Sequence, residues 1–181
     1  MDYYFDIEVL PDPEFAATIL MNALYAKFHR ALVSLQSDSI GVTFPSAERT
    51  PGDKLRIHGK KEILEELLTL NWVRGLGDYT TIADLKLVPP EAKQVSVRRI
   101  QTKMSTARIR RALARNSITE EDAVRLLKTR KPTKLPYVQL RSQSTGQSFS
   151  LYFEQKIVES GAVTGSFNTY GFSQNATLPW F

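Results

Sequence analysis

One apolar stripe constrains the fold of this 181-residue chain more than any other feature. Leu20, Leu24, Phe28, Leu32 and Leu35 recur at helical spacing, so a long helix must bury one face there. Asp12 followed by Pro13 predicts its start, with Asp as cap and Pro at the first helical position. A helix with a single buried face needs a partner, and the flanking segments supply strands. Residues 3–10 read as a strand, and 39–45 and 54–59 as two more. In the last of these, Leu55 and Ile57 should point inward, Arg56 and His58 outward. A second amphipathic helix follows over 60–70, and a fourth strand over 80–88. The order β-α-β-β-α-β predicts a ferredoxin-like (RRM-like) domain over 1–90.

Val88-Pro89-Pro90-Glu91 reads as the linker to a second domain over 91–181, because paired prolines stiffen the chain and end the strand. That domain should open with a strand over 94–101 and a helix over 105–116 capped by Ser105. A capping box at Thr119-Glu120-Glu121-Asp122 should begin a further helix running to about residue 130, with Pro132 and Pro136 ending that stretch. Three β segments are expected near 137–144, 148–158 and 167–172. The fold class is therefore α+β, with an arginine-rich helix in its C-terminal half.

Charge separates the same two halves. Residues 1–90 hold 9 Lys/Arg against 13 Asp/Glu, a balance of −4; residues 91–181 hold 15 against 6, a balance of +9. A basic block joined to an acidic half is either a solvated face or a surface that binds a polyanion. Arg108, Arg111 and Arg115 sharpen the second reading, since i, i+3, i+7 spacing places them within about 60° on one helix face. Ile109 and Leu113 face elsewhere and can seat that helix. Arg99 and Gln101 alternate onto one side at the end of the preceding strand. Those two side-chain types make bidentate contacts to guanine and adenine edges.

Zero cysteines exclude disulfides, thiolate metal sites and cysteine nucleophiles. With only two histidines, a zinc site would need carboxylates, so neither a metal nor another cofactor is expected. The first residues lack the basic and apolar regions of a signal peptide, and a cytoplasmic protein is expected. His29 stands at the edge of the helical stripe, where an imidazole can be structural or can move protons. His58 reads as a surface residue. The aromatic residues among 167–181 suit either a core or a base-stacking platform.

One run stands apart: Leu140-Arg141-Ser142-Gln143-Ser144-Thr145-Gly146-Gln147-Ser148-Phe149. It holds four hydroxyls, two amides, one guanidinium and no carboxylate, a set suited to a phosphate- or sugar-bearing ligand. Together with Met1-Asp2-Tyr3-Tyr4, Pro11-Asp12-Pro13-Glu14-Phe15, Ile40-Gly41-Val42-Thr43-Phe44-Pro45, Tyr170-Gly171-Phe172-Ser173 and Pro179-Trp180-Phe181, it resembles the CRISPR repeat-processing endoribonuclease of subtype I-F (Ypest) systems.

The resemblance implies a protein that binds the stem-loop of CRISPR repeat RNA and cuts at its 3′ base without metal. The upstream 2′-hydroxyl attacks, a 2′,3′-cyclic phosphate forms, and the protein stays with the mature crRNA among the other subunits of the effector complex. Residue by residue, it implies His29 as general base or proton carrier, Ser142 as the group holding the ribose 2′-hydroxyl, and Tyr170 as the residue orienting the histidine. Ser144 and Thr145 would lie near the scissile phosphate, Phe149 would stack on the closing base pair, and Arg99 and Gln101 would read base edges. Arg108, Arg111 and Arg115 are assigned to the RNA by helical geometry. Ala112, Ala114 and Asn116 interrupt a run that is denser in the family, which implies fewer phosphate contacts or a different repeat sequence. The alternative is a non-catalytic subunit that caps the hairpin of a guide RNA.

Overall fold

The computed structural model describes residues 1–101, 106–129, 133–159 and 161–181. It is an α+β chain with two β-sheets. The first 90 residues run β1 (Tyr3–Val9), α1 (Ala17–Leu35), β2 (Gly41–Thr43), β3 (Lys54–Gly59), α2 (Lys61–Thr69), β4 (Thr80–Ile82) and β5 (Lys86–Leu87). Then come β6 (Lys93–Ile100), α3 (Thr106–Ala114), α4 (Glu120–Thr129), β7 (Tyr137–Arg141), β8 (Ser148–Val158) and β9 (Leu178–Trp180). Among the described residues no helix is long and apolar enough to cross a membrane.

The first sheet has the order β2-β3-β1-β4, with β5 also pairing β1. Tyr3 faces Gly59 and Ile7 faces Leu55 in the antiparallel β1–β3 ladder. The expected fourth strand over 80–88 is two pieces: Ile7 pairs Ile82, Tyr4 pairs Lys86, and half-buried Leu85 between them turns onto the core. The second sheet has the order β7-β8-β6-β9. Its β9 pairs β6 through Val95 and Leu178, an element that Pro179 hid from sequence reading. No strand forms over 167–172; an isolated bridge joins Phe167 to Ser173 instead.

The chain divides into two compact units, Met1–Arg99 with Leu135–Phe181, and Ile100–Lys134. In the larger unit, the stripe on α1 behaves as its spacing demands: Leu20, Leu24, Phe28 and Leu32 are buried and Leu35 partly so. Aromatic rings extend that core to the second sheet. Tyr25 lies 5.5 Å from Phe44, and Phe44 stacks on Phe153 at 4.3 Å. Two polar ties hold the same parts together. The Gln139 N–H on β7 donates to Asn22 Oδ1 on α1 at 2.8 Å. The Gln155 amide exchanges two bonds with the Phe44 backbone, at 2.8 and 2.9 Å. The second tie satisfies backbone groups that partial burial would otherwise orphan.

Two expectations need correction here. Asp12 does cap a turn, accepting from the Glu14 and Phe15 N–H groups at 2.8 Å each, but the helix begins later, with Ala16 as its N-cap. A cap bonds the donors nearest to it, and those belong to a turn that ends before α1. Arg56 and His58 alternate away from Leu55 and Ile57 as predicted, yet both are buried. The sheet face they occupy is covered: the Arg56 guanidinium lies 4.8 Å from the Tyr4 ring and 4.0 Å from the Phe181 ring. It also pairs with Asp6 through two bonds, at 2.7 and 2.9 Å. His58 Nε2 meets Thr43 Oγ1 at 3.1 Å. Burial, then the Arg56 charge and the N-terminal ammonium, lower the His58 pKa to about 3. It is a neutral core residue.

In the smaller unit the capping box forms: Asp122 N–H donates to Thr119 Oγ1 at 3.1 Å, and Thr119 Oγ1 donates to Asp122 Oδ2 at 3.0 Å. Asn116 takes a left-handed conformation (φ 53°) just past α3. Its N–H bonds the Leu113 carbonyl and the Ser117 N–H bonds the Ala112 carbonyl, the double closure of a Schellman motif. The Ser105 cap, Pro132 and the expected helix end near residue 130 lie outside the described residues.

Candidate active site

The carboxylate-free run forms the turn of the β7–β8 hairpin. Arg141 pairs with Ser148 at its base, and residues 142–147 make the loop. Ser142 closes it from both ends of its own backbone: its N–H donates to the Gln147 carbonyl and its carbonyl accepts from the Gly146 N–H, both at 2.9 Å. The Ser142 hydroxyl accepts from the Thr145 N–H at 3.3 Å and touches Ser144 Oγ at 3.1 Å. Gly146 sits at φ +64°, where a side chain would be strained, and Arg141 Nε donates to its carbonyl at 3.0 Å. The loop's shape is therefore set by its own hydrogen bonds. Ser142 and Ser144 present hydroxyls from a fixed frame.

Opposite the loop stands α1. A cavity of about 290 Å³ is lined by His29 and Arg30 from that helix, Ser142 and Ser144 from the loop, Phe149 from β8, and Tyr170. The Asn22–Gln139 bond and the aromatic core fix the hairpin against α1, so His29 faces residues more than a hundred positions away in sequence. The volume accommodates a sugar-phosphate unit but not a stem. Among the described residues that line it, none is a carboxylate. A larger concavity of about 600 Å³ on α4 is lined by Glu120, Glu121, Val124, Arg125 and Lys128. It offers neither imidazole nor hydroxyl, so chemistry rather than size selects the smaller cavity.

The histidine is oriented from two sides. Its Nδ1 lies 2.7 Å from the Thr169 carbonyl. A carbonyl only accepts, so Nδ1 carries the proton and, in the neutral ring, Nε2 is the free base. Its ring stacks on Tyr170, with centroids 4.3 Å apart and planes 14° from parallel. The turn that carries Thr169 and Tyr170 is itself clamped. Asn168 Oδ1 accepts from the Tyr170 and Phe172 N–H groups at 2.9 and 3.2 Å, and the Tyr25 hydroxyl donates to the Tyr170 carbonyl at 2.6 Å. Burial, and secondarily Tyr170, raise the Tyr25 pKa well above its ordinary value, which keeps that hydroxyl a donor. Gly171 (φ +72°) lies against Val42 and Phe28, where a Cβ would sit 3.0 to 3.2 Å from their side chains. Glycine is what lets the turn approach the core.

The cavity thus gathers His29, Ser142, Ser144, Phe149 and Tyr170. Thr145 is exposed at the loop tip and does not line it. The Arg99 guanidinium lies 5.7 Å from the Tyr170 ring, while Gln101 is exposed just beyond the end of β6. In the smaller unit Arg108, Arg111 and Arg115 line one shallow surface with Ala112 and Ser117, and Ile109 is buried. Arg108 and Arg111 also have partners within the protein. Sequence reasoning gave no site role to Asn22, Tyr25, Arg30, the Thr169 carbonyl or Asn168. Only the Asn-x-x-Gly spacing of 168–171, a turn signature, could have pointed to one of them.

Comparison with known proteins agrees over the whole chain. Full-length relatives, matching over 100% of both chains, include the CRISPR-associated endonuclease Cas6/Csy4 of Escherichia coli (strain UTI89 / UPEC), 39% identical, and that of Pseudomonas aeruginosa (strain UCBPP-PA14), 38% identical. The family model described as CRISPR-associated protein (Cas_Csy4) matches residues 4–181, and the chain belongs to that family.

Proposed function

We propose that this protein is an endoribonuclease that binds the stem-loop of CRISPR repeat RNA and cuts it at the 3′ base by attack of the RNA's own 2′-hydroxyl. The observation that carries this reading is the tautomer of His29. With Nδ1 committed to the Thr169 carbonyl, Nε2 is left as a proton acceptor on a ring that lines a cavity of hydroxyls. Such a reaction needs a base, an in-line geometry and a place for charge. His29 Nε2 takes the 2′-hydroxyl proton, and the oxygen forms its bond to phosphorus as the bond to O5′ breaks. The departing O5′ takes a proton from water as the His29 imidazolium returns the one it took to solvent. This leaves a 2′,3′-cyclic phosphate on one product and a 5′-hydroxyl on the other. Ser142 holds the 2′-hydroxyl, Tyr170 keeps the imidazole in plane, and Ser144 and Thr145 lie toward the phosphate.

A cavity lined by hydroxyls, imidazole and guanidinium favours a reaction that runs without metal, because hard divalent cations bind carboxylate and carbonyl oxygens. Phe149, half-buried at the edge of the cavity, caps the last base pair. Arg99 and Gln101 read the base of the stem, and Arg108, Arg111 and Arg115 contact phosphates. The strand order β2-β3-β1-β4 over β-α-β-β-α-β favours a ferredoxin-like reading of residues 1–90, with 91–181 as the part that holds RNA. After cutting, the protein remains on the mature crRNA as a subunit of a larger complex.

Incubation with a repeat-derived hairpin in excess EDTA tests the reading. The expected result is a single cut giving a cyclic phosphate, abolished by a 2′-deoxy substitution at the scissile nucleotide with affinity nearly unchanged. Tight binding without any cut would instead favour a non-catalytic hairpin-capping subunit.

A further inference from the structure

Arg30 follows His29 in α1 and has no part in the chemistry described so far. Ala26, His29 and Arg30 stand at i, i+3 and i+4, so they share the helix face that lines the cavity. Arg30 is exposed, and among the described residues no carboxylate pairs with it. Its position lies more than a turn before α1 ends at Leu35, so the negative end of the helix dipole does not account for it. The cavity's other guanidinium, Arg141, is already engaged with the Gly146 carbonyl and shapes the loop. Of the two cations at the cavity, Arg30 is the one without a structural task.

The chemistry has a vacancy of the same kind. A phosphodiester carries one negative charge, and attack by a 2′-oxygen adds a second over the phosphoryl oxygens. Preorganised groups aimed at developing charge contribute strongly. His29 donates Nδ1–H to the Thr169 carbonyl, and the proton its Nε2 takes stays toward the attacking 2′-oxygen, so the imidazole donates nothing to the non-bridging oxygens. A serine hydroxyl donates one bond and carries no charge. Guanidinium matches phosphoryl oxygens in geometry and stays charged at any working pH.

We propose that Arg30 is a catalytic residue that binds a non-bridging oxygen of the scissile phosphate and stabilises the charge built up during 2′-hydroxyl attack. The inference rests on the endoribonuclease reading above. The two non-bridging oxygens are stereochemically distinct, so a guanidinium approaching from α1 favours one of them. The test is single-turnover cleavage at saturating protein, on hairpins carrying either phosphorothioate diastereomer at the scissile linkage. The wild-type protein prefers one diastereomer. Arg30→Gln slows the unmodified substrate by roughly 10- to 100-fold, shifts affinity by under about tenfold, and loses most of that preference. Arg30→Lys regains part of the rate. An Arg30→Gln protein that cuts at the wild-type rate would overturn the proposal while leaving the endoribonuclease reading intact. So would a slowed rate with the diastereomer preference unchanged, or no preference in the wild type. Wild-type protein that never cuts would overturn the endoribonuclease reading, and this proposal with it.

Discussion

The cavity beside α1 and the arginine surface of α3 are built in opposite ways. At the cavity, each functional group is held by something distant in sequence: His29 by Thr169 and Tyr170, Ser142 by a loop whose hairpin is tied to α1 through Asn22. On α3, helical spacing puts three arginines on one surface, and the helix is closed locally by Asn116 and Ser117. The first arrangement fixes atoms to within a bond length, which bond-making requires. The second sets out charge, which polyanion binding rewards with little regard for exact position. In the proposed enzyme, rate and affinity should therefore be separable properties of separate regions.

Removing the base is expected to have the largest effect on this separation. His29→Ala should lower the single-turnover rate by roughly 10²- to 10⁴-fold with affinity for the hairpin almost unchanged, as read by cleavage and by filter or fluorescence binding. Loss of binding in that variant would return the imidazole to a structural role. Next in size, replacing Arg108, Arg111 and Arg115 together by Ala should weaken binding by about 100-fold and reduce the salt slope by roughly 2 to 3. The rate at saturating protein should stay within a few-fold of wild type.

Asn22→Ala sharpens the comparison from the packing side. It removes the acceptor of the Gln139 N–H, so the hairpin loses one anchor on α1. The bond is exposed and water can replace the lost acceptor, so stability should fall by only about 0.5–1.5 kcal/mol, and a loosened Ser142 frame should slow cutting about tenfold without altering affinity. An unchanged rate in a variant whose stability has fallen, by denaturant titration, would show that the bond does not position the hairpin.

The last effect, at His58, touches neither rate nor affinity and is confined to stability. The folded protein holds it neutral down to about pH 3, whereas an unfolded chain protonates it near 6.5. Unfolding below pH 6.5 therefore takes up a proton, and the stability present above that pH is lost as pH falls toward 3, by up to about 1.4 kcal/mol per pH unit. In His58→Gln that contribution to the slope should vanish, measured as the urea midpoint between pH 6.5 and 4. An unchanged slope would mean that His58 is not neutral in the core.

Local patterns carried the elements well. The α1 stripe, the β3 limits and the Thr119 capping box could all be read from spacing, because short-range rules decide them. The strand expected to 144 instead ends at Arg141, where the Ser142 turn begins. The site depended on long-range contacts. Nothing near His29 in sequence names Thr169 as the acceptor that sets its tautomer, and nothing near Asn22 names Gln139. The burial of Arg56 and His58 was hidden for the same reason, since alternation gives the face of a strand but not what covers it. Asp12 misled because a good cap serves whichever turn comes first. His29 itself was ambiguous as a residue, and only resemblance to a family separated it from an ordinary core-edge histidine.

The separation of rate from affinity is tested most directly by one salt titration on the wild-type protein. Hairpin affinity and the single-turnover rate at saturating protein are measured on the same samples from low to high monovalent salt. Affinity should fall steeply and linearly on a log–log plot, as counterion release requires, while the saturated rate stays flat within about threefold because the bound phosphate is screened little in its cavity. A saturated rate that falls in step with affinity would contradict the account, showing that the basic surface acts in the bond-breaking step itself.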